Sequence, residues 1–186
     1  MRIISGTYKG RRIIAPKKLP VRPTTDMAKE ALFNILRNRY MLSSLNVLDL
    51  FAGTGNISYE FASRGSDNIT AVDADYGCIK FINATAKEFE MDINAFKSDV
   101  FKYLERASGM QYDIIFADPP YNMDLADFKK IPKLVFANNM VADGGSLIIE
   151  HGKETDLSSC ENFAEFRRYG GSVFSFFSPK GIDEEE

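Results

Sequence analysis

The segment Asp118-Pro119-Pro120-Tyr121 combines residue types that suit one particular chemistry. An exocyclic amine on a nucleic-acid base is a poor nucleophile, because its lone pair is delocalised into the ring. The carboxylate of Asp118 and the carbonyl of Pro119 are two acceptors that can hold the amine hydrogens, and proline adds no competing N–H. The ring of Tyr121 offers a surface on which an extruded base can stack. Although two prolines can simply end a strand, we predict catalytic roles for Asp118, Pro119 and Tyr121.

A second segment, Asp49-Leu50-Phe51-Ala52-Gly53-Thr54-Gly55, has the composition of a ligand-binding turn. Gly53 and Gly55 permit a tight turn and a close approach of the backbone to a ligand. Asp73 follows 20 residues after Gly53, and a carboxylate at that position of an α/β fold typically binds ribose hydroxyls. The turn and the acid together predict a cofactor that contains a nucleoside.

The identity of that cofactor depends on Asp49 and Ser58. A dinucleotide-binding turn has a third glycine, and here that position is occupied by Ser58. The carboxylate of Asp49 would repel a pyrophosphate but attract an amino group. S-adenosylmethionine carries an α-amino group and a sulfonium and has no phosphate, so we favour it over NAD.

The pattern of apolar residues predicts the elements that position these segments. An amphipathic helix begins near Thr25-Asp26, with apolar residues at positions 28, 31, 32, 35 and 36. From residue 46 strands alternate with helices, which predicts a doubly wound, mostly parallel sheet with ligands at the carboxyl ends of its strands. The predicted elements are a hairpin with arms 2–5 and 12–15, strands 47–50, 69–73, 93–97, 113–117 and 146–150, helices 56–63 and 76–89, two helical segments after residue 121 of which one starts at Pro132, and an antiparallel pair 163–169 and 172–177.

Length and composition favour a single domain in a reducing compartment. The chain has 186 residues with 45% hydrophobic and 26% charged residues, which is ordinary for one globular domain. We therefore expect one domain over residues 1–186, in which residues 1–23 form a hairpin and a proline-containing connector. Cys78 and Cys160 are too few for a disulfide framework or a zinc site. With no signal peptide or membrane span in the sequence, we expect a cytoplasmic protein without a metal.

The distribution of charge leaves the partner open. The net charge of −3 argues against nucleic acid, but the first 25 residues contain only basic charges, and a local cationic patch can bind phosphates. The alternative is that these are ordinary solvated side chains. The basic residues of this segment are Arg2, Lys9, Arg11, Arg12, Lys17, Lys18 and Arg22.

The motifs resemble those of a known family. The turn at residues 49–55, Ser63-Arg64-Gly65 and Asp118-Pro119-Pro120-Tyr121 are similar to segments of the RsmD family, whose members methylate N2 of a guanine in 16S ribosomal RNA. The opening Arg2-Ile3-Ile4-Ser5-Gly6 with Gly10-Arg11, and the segment 22–36, resemble that family as well. The resemblance covers nearly the whole chain, up to about Phe177.

The resemblance implies a fold, a substrate and a set of contacts. It implies a class I, Rossmann-like methyltransferase fold, with an antiparallel C-terminal strand and an N-terminal β-hairpin, that uses S-adenosylmethionine on ribosomal RNA, free or within the small ribosomal subunit. Asp49, Gly53 and Gly55 would contact the methionine part of the cofactor, Asp73 the ribose, and Asp99 the adenine amine beside Val100. The residues implied to contact RNA are Arg2, Lys9, Arg11, Arg12, Arg22 and Thr24.

Several alternatives remain at this stage. Adenine methylation in DNA and methylation of a protein glutamine use similar turns, although Asp118 favours a base and no separate DNA-recognition domain is visible. A non-catalytic RNA-binding factor that holds the cofactor is disfavoured by the complete acceptor pair, and an NAD-dependent oxidoreductase by Ser58 and Asp49. His151 is the only histidine, and we expect it to be structural.

Overall fold

Two compact units make up the chain. The structure is a computed structural model that describes residues 1–20, 24–107 and 109–179. Contacts between backbone positions divide the chain into Met1–Val100 and Phe101–Glu186. Arg22, for which the sequence predicts an RNA contact, lies outside the described residues together with the acidic C-terminal tail. Within the described ranges, no helix is long and apolar enough to cross a membrane.

The first unit contains a parallel sheet in the order β3-β2-β1. Because the strands are parallel, the segments that follow β1, β2 and β3 leave the sheet at the same edge. The predicted cofactor residues lie in those segments or, for Asp49 and Asp73, near the carboxyl ends of β1 and β2 themselves. The elements are α1 (Asp26–Arg39), a 3₁₀ turn (Leu42–Ser44), β1 (Asn46–Leu50), α2 (Asn56–Ser63), β2 (Asn68–Asp73), α3 (Tyr76–Glu88) and β3 (Ile93–Lys97).

The second unit contains a mixed sheet in the order β4-β5-β7-β6. Strands β4 and β5 are parallel, whereas β7 is antiparallel to both β5 and β6. The antiparallel C-terminal pair is confirmed with its predicted bounds. The elements are α4 (Val100–Arg106), which begins at the last residue of the first unit, then β4 (Tyr112–Ala117), α5 (Leu125–Ala137), β5 (Val141–His151), β6 (Phe163–Tyr169) and β7 (Ser172–Phe177).

Helix α1 begins where the sequence predicts. The Thr25 hydroxyl accepts a hydrogen bond from the backbone N–H of Ala28 and thereby caps the helix. Three of the five predicted apolar positions, at residues 28, 32 and 36, are buried. The helix also buries Phe33 and, against expectation, the charged side chain of Lys29. A buried lysine needs a partner, and its partners lie on α2.

The predicted N-terminal β-hairpin is present only as a loop closed by a single bridge between Arg2 and Arg12. The arms 2–5 and 12–15 are otherwise not strands, although Ile3 N–H still donates to Arg11 O and Gly10 N–H to Ile3 O. Gly6 and Gly10 have φ values of +85° and +82°, as the ends of a tight turn require. We keep the name N-terminal hairpin for residues 2–15.

Two predictions for the second unit were wrong. A single helix, α5, runs through Pro132, where the sequence predicts a separate helix start. The buried residues 128, 131, 132 and 135 form one continuous apolar face, and burial of that face offsets the hydrogen bond that proline cannot make. Strand β5 begins at Val141, five residues before its predicted start. The strand continues through Gly144 and Gly145, where its pairing with β4 shifts register between Tyr112 and Ile114. Helix α4 was not predicted.

The end of α3 shows how a helix can stop without glycine. The N–H of Glu90 donates to Lys87 O and that of Met91 to Ala86 O, which is the Schellman pattern. This pattern places Glu90 at φ +53°. In a residue with a Cβ, this left-handed conformation is unfavourable by about 1–2 kcal/mol. The absence of glycine explains why the sequence predicts a helix that extends one residue too far.

We expect Glu90→Gly to raise the free energy of unfolding by roughly 1 kcal/mol, because glycine adopts positive φ without strain. Glu88→Gly is the matched control, since the same exposed residue type is changed two positions earlier, inside the helix. It should lower stability by about 0.5–1 kcal/mol. Urea denaturation followed by circular dichroism measures both changes. Equal destabilisation by the two variants would contradict the strain at Glu90.

Candidate functional site

The turn between β1 and α2 has an unusual backbone. Phe51, Gly53 and Gly55 have φ values of +57°, +55° and +85°. A phenylalanine with positive φ is strained, and such strain concentrates at functional sites. A Cβ added to Gly55 would lie 2.8 Å from the ring of Tyr59. Together with the positive φ, this contact strongly favours glycine at position 55.

Asp73 holds this turn against the end of β2. Its carboxylate accepts hydrogen bonds from the backbone N–H groups of Gly53 and Asp75, both at 2.8 Å. The N–H of Ala52 adds a bond to Val72 O at 3.1 Å. Each carboxylate oxygen of Asp73 thus has one donor and keeps further acceptor capacity. The side chain is half-buried, and its carboxylate could accept further hydrogen bonds.

Asp49, in β1, lies directly below the turn and is 2% exposed. Its carboxylate accepts a hydrogen bond of 2.6 Å from the hydroxyl of Ser58 on α2. Burial raises the pKa of Asp49 to about 7, and the negative charge of Asp73 contributes in the same direction, whereas the bond from Ser58 opposes the shift. A cationic group placed beside Asp49 would favour its ionised form.

Asp99 and Val100 follow β3 at the same edge of the sheet. Ser98 N–H donates to Asp73 O at 3.0 Å, which fixes the start of this segment beside the end of β2. Asp99 is exposed and Val100 is buried. The structure therefore brings five predicted cofactor residues, together with Val100, to one end of the β3-β2-β1 sheet. They are Asp49, Gly53, Gly55, Asp73 and Asp99.

These residues fit S-adenosylmethionine better than a dinucleotide. A buried carboxyl group whose pKa is near 7 suits an ammonium and opposes a phosphate. The oxygens of Asp73 suit the hydroxyls of a ribose. No cluster of His, Cys, Asp or Glu side chains among the described residues could hold a metal ion.

The second candidate segment follows β4. Asp118 is half-buried, Pro119 is buried, and Pro120 begins a turn that is closed by a bond from Met123 N–H to Pro120 O at 3.0 Å. The side chain of Tyr121 is 52% exposed. Its ring lies 3.7 Å from the position that a Cβ on Gly152 would occupy. The partly exposed ring of Tyr121 therefore lies close to the backbone of Gly152.

His151 fixes the backbone that supports Tyr121. It is buried at the end of β5, where its Nδ1 is 2.8 Å from Gly152 O and its Nε2 is 2.7 Å from the hydroxyl of Ser175 on β7. Burial lowers the pKa of His151. The expectation that His151 is structural agrees with these contacts, and the contacts place it beside Gly152.

The basic residues of the N-terminal hairpin differ in their surroundings. Lys9, Arg11 and Arg12 are exposed. Arg2 is exposed and forms an ion pair with Asp26 at 3.4 Å. Thr24 is buried, and its carbonyl accepts a bond from the Asn56 side chain. The structure therefore offers four predicted RNA contacts on the surface and places the side chain of Thr24 away from it.

Sequence reasoning missed three residues that the site depends on. Ser58 was identified only as a departure from a dinucleotide-binding turn, although its spacing of nine residues from Asp49 is compatible with a contact across the β1–α2 turn. Gly152 gave no signal beyond being a glycine after a strand. Glu60, which is fully buried, resembled an ordinary polar residue of α2.

Comparison with known proteins identifies the family. Residues 1–178 match the family model described as "Conserved hypothetical protein 95", and the chain belongs to this family. The chain is 33% identical to the "Putative rRNA methyltransferase YlbH" of Bacillus subtilis (strain 168), over 84% of this chain and 85% of that protein. It is 30% identical to the "Ribosomal RNA small subunit methyltransferase D" of Buchnera aphidicola subsp. Acyrthosiphon pisum (strain APS), over 89% of this chain and 85% of that protein.

A solved structure supports the same relationship. The "Putative methyltransferase yhhF from Escherichia coli" has a TM-score of 0.82 and 26% identity, over 95% of this chain and 96% of that chain. The predicted resemblance to the RsmD family and the methyltransferase fold are therefore confirmed. S-adenosylmethionine, the methyl donor predicted from the sequence, is confirmed as the cofactor of the family.

We expect the affinity for S-adenosylmethionine to depend on the ionisation of Asp49. In the ligand-free protein the carboxyl group is protonated below pH 7, and the ammonium of the ligand requires the ionised form, so binding releases a proton there. Affinity should fall by up to about tenfold per pH unit below 7 and level off above it. Calorimetry between pH 5.5 and about 8.5 measures this profile.

Asp49→Asn should abolish the pH dependence of affinity that arises from the carboxyl group of Asp49. The pH dependence that arises from titration of the ligand itself should remain. Ser58→Ala should move the transition to higher pH, because it removes a hydrogen bond that lowers the pKa of Asp49. Identical profiles for the wild type and Asp49→Asn would show that Asp49 does not contact the ammonium.

Proposed function

We propose that this member of the "Conserved hypothetical protein 95" family transfers a methyl group from S-adenosylmethionine to the exocyclic N2 amine of a guanine in 16S ribosomal RNA. The observation that carries the proposal is the turn after β4, where a half-buried aspartate is followed by a buried proline and an exposed tyrosine ring. Family relatives named as ribosomal RNA methyltransferases support RNA as the substrate. An enzyme with this substrate would work in the cytoplasm.

The residues of the first unit would hold the cofactor. The buried carboxyl of Asp49 suits the α-ammonium of the methionine part, and the absence of side chains at Gly53 and Gly55 would let the ligand lie close to the turn. The acceptor capacity of Asp73 suits the two ribose hydroxyls. Asp99 would accept the adenine amine, with Val100 against the ring. When bound, S-adenosylmethionine supplies a methyl group on a positively charged sulfur.

The residues after β4 would activate the base. The Asp118 carboxylate and the Pro119 carbonyl would each accept one hydrogen of the guanine amine, which orients the nitrogen lone pair. Asp118 would also stabilise the positive charge that develops on nitrogen as its bond to carbon forms. Tyr121 would stack on the extruded base. Since the protein then needs only to position two partners, no metal is required.

The N-terminal hairpin would provide the phosphate contacts. Lys9, Arg11 and Arg12 are exposed on a segment that contains no acidic residue, and Arg2 lies at its base. The overall charge of −3 does not oppose this, because phosphate binding depends on the local field and on counterion release. The prediction that Arg22 contacts RNA lies outside the described residues, and the buried Thr24 is not proposed as a side-chain contact.

The direct test is methylation of 16S ribosomal RNA, free and in small subunits, from cells that lack the gene. Labelled S-adenosylmethionine is added, and the labelled nucleoside is then identified. The proposal predicts N2-methylguanosine. Labelled N6-methyladenosine, or label in DNA or in a protein glutamine, would assign a different substrate to the same acceptor pair.

We expect Asp118→Ala to lower the single-turnover rate by about 10²–10³-fold, because it removes an acceptor and a stabilising charge. Asp118→Asn should retain slightly more activity, since it keeps one acceptor oxygen. Both variants should bind S-adenosylmethionine with unchanged affinity in calorimetry. Asp124→Ala, which removes an exposed carboxylate just before α5, is the matched control and should react at the normal rate. A normal rate for Asp118→Ala would refute the assigned active site.

We expect Arg11→Glu combined with Arg12→Glu to weaken RNA binding and to flatten its dependence on salt. Each lost phosphate contact should lower the slope of log affinity against log salt by roughly 0.7–0.9. Lys17→Glu with Lys18→Glu is the control, because it makes the same charge change at exposed positions beyond the hairpin. Equal effects of the two pairs in a filter-binding titration would mean that only net charge matters and that the hairpin is not the specific RNA surface.

A further inference from the structure

The N-terminal hairpin has too few internal bonds to hold its own conformation. It has one bridge, between Arg2 and Arg12, and its other backbone bonds are those from Ile3, Ile13 and the turn. An isolated hairpin is at best marginally stable in water. The conformation must therefore be fixed by contacts with the rest of the first unit.

Helix α2 supplies those contacts through Glu60 and Ser63, which lie one turn apart. The Glu60 carboxylate accepts hydrogen bonds from the backbone N–H groups of Ile4 and Ser5, both at 3.0 Å. The Ser63 hydroxyl donates to Ser5 O at 2.6 Å and accepts from Tyr8 N–H at 3.0 Å. Five consecutive residues of the hairpin, 4 to 8, thus face α2.

The contact between the hairpin and α2 is close at Gly6. The N–H of Thr7 donates to Ser63 O at 2.7 Å. A Cβ on Gly6 would lie 1.8 Å from that same carbonyl oxygen. The hairpin can therefore dock in this way only with glycine at position 6. Tyr8 adds a second anchor, because its hydroxyl donates to Phe89 O at the end of α3.

Two cationic side chains also compensate the buried negative charge of Glu60. Arg64 contacts the carboxylate at 2.9 Å and Lys29 at 3.3 Å. Lys29 also donates to Arg2 O at 2.6 Å. Neither Glu60 nor Lys29 reaches the surface, so neither can touch RNA itself.

We infer that Glu60 and Ser63 are positioning residues for RNA, which preset the hairpin so that Lys9, Arg11 and Arg12 meet phosphates at fixed positions. This inference rests on the proposed function, in which the hairpin binds RNA. It adds that the cationic surface exists before RNA arrives. The partner that fits such a surface is a folded RNA with phosphates at defined spacing.

The test compares Gly6→Ala with Gly10→Ala. Both replace a hairpin glycine whose φ is near +85°, but the added methyl group meets α2 only at position 6, since nothing lies within 4 Å of it at position 10. Glu60→Gln is less useful, because it leaves Lys29 and Arg64 without their anion and can prevent folding. Ser63→Ala is a milder second variant. Ser66→Ala is its control, because that buried hydroxyl binds Leu42 O rather than the hairpin.

Three measurements are made on each variant. Hydrogen exchange reports the amides of residues 4, 5 and 8, filter binding reports RNA affinity and its salt slope, and calorimetry reports affinity for S-adenosylmethionine. For Gly6→Ala we expect faster exchange, RNA affinity lower by on the order of tenfold, a salt slope smaller by about 2, and unchanged cofactor affinity. Gly10→Ala should lose far less RNA affinity. Ser63→Ala should lose more RNA affinity than Ser66→Ala.

The possible failures are distinguishable. If Gly6→Ala leaves the amides protected, the docking on α2 is wrong. If it frees the amides and RNA affinity matches that of Gly10→Ala, presetting is irrelevant. If cofactor and RNA affinity fall by the same factor, the effect is general damage, and the inference is overturned. Reversal of Arg11 and Arg12 tests the proposed function separately. If the charge reversal weakens RNA binding but Gly6→Ala does not, only the positioning role is refuted. If the charge reversal itself leaves RNA binding unchanged, the hairpin is refuted as an RNA surface.

Discussion

The organisation of the first unit depends on one buried carboxylate, that of Glu60. A buried charge without compensation is strongly unfavourable, and the removal of one partner from a buried ion pair typically costs about 3–5 kcal/mol. Glu60 is compensated from three parts of the chain: Lys29 on α1, Arg64 just after α2, and the backbone N–H groups of residues 4 and 5. The constraint joins α1, α2 and the hairpin into one arrangement.

The same helix therefore has two roles. Its N-terminus continues directly from the turn at Gly53 and Gly55, where the proposed cofactor residues lie, and its later residues Glu60 and Ser63 hold the hairpin. Asn56, its first residue, receives a bond from Lys29 and donates to Thr24 O. This requirement explains why α2 buries seven of its eight residues, polar ones included. The proposed RNA surface and the proposed cofactor turn therefore both contact one helix, α2.

How much the sequence predicts depends on the range of the interaction. Periodicity and glycine positions gave the bounds of α2, β6 and β7, since these follow from local pattern. The pairs Lys29–Glu60 and Glu60–Ile4 are separated by 31 and 56 residues in the chain, and no local pattern shows that a lysine and a glutamate will be buried together. The helix through Pro132 was missed for the opposite reason, because a strong local signal was overridden by burial of a continuous apolar face.

The distinction between local patterns and long-range contacts also applies to the candidate site. Residue types and spacing predicted that Asp49, the glycine turn and Asp73 lie near one end of the sheet, because a strand–turn–helix geometry makes local positions informative; their contacts with the cofactor stay a prediction. The sequence alone does not show that Asp49 and Asp73 have different surroundings and different hydrogen-bond partners. Asp73 receives two backbone N–H bonds at the edge of the sheet, whereas Asp49 is enclosed, and burial outweighs its hydrogen bonds from the hydroxyl and backbone of Ser58, so its pKa rises to about 7. Under the proposed function, Asp73 would accept neutral ribose hydroxyls, whereas Asp49 would receive the ligand's ammonium. Because a neighbouring cation favours the ionised form of a carboxyl group, the buried charge on Asp49 would then form most fully when the ligand that requires it is bound.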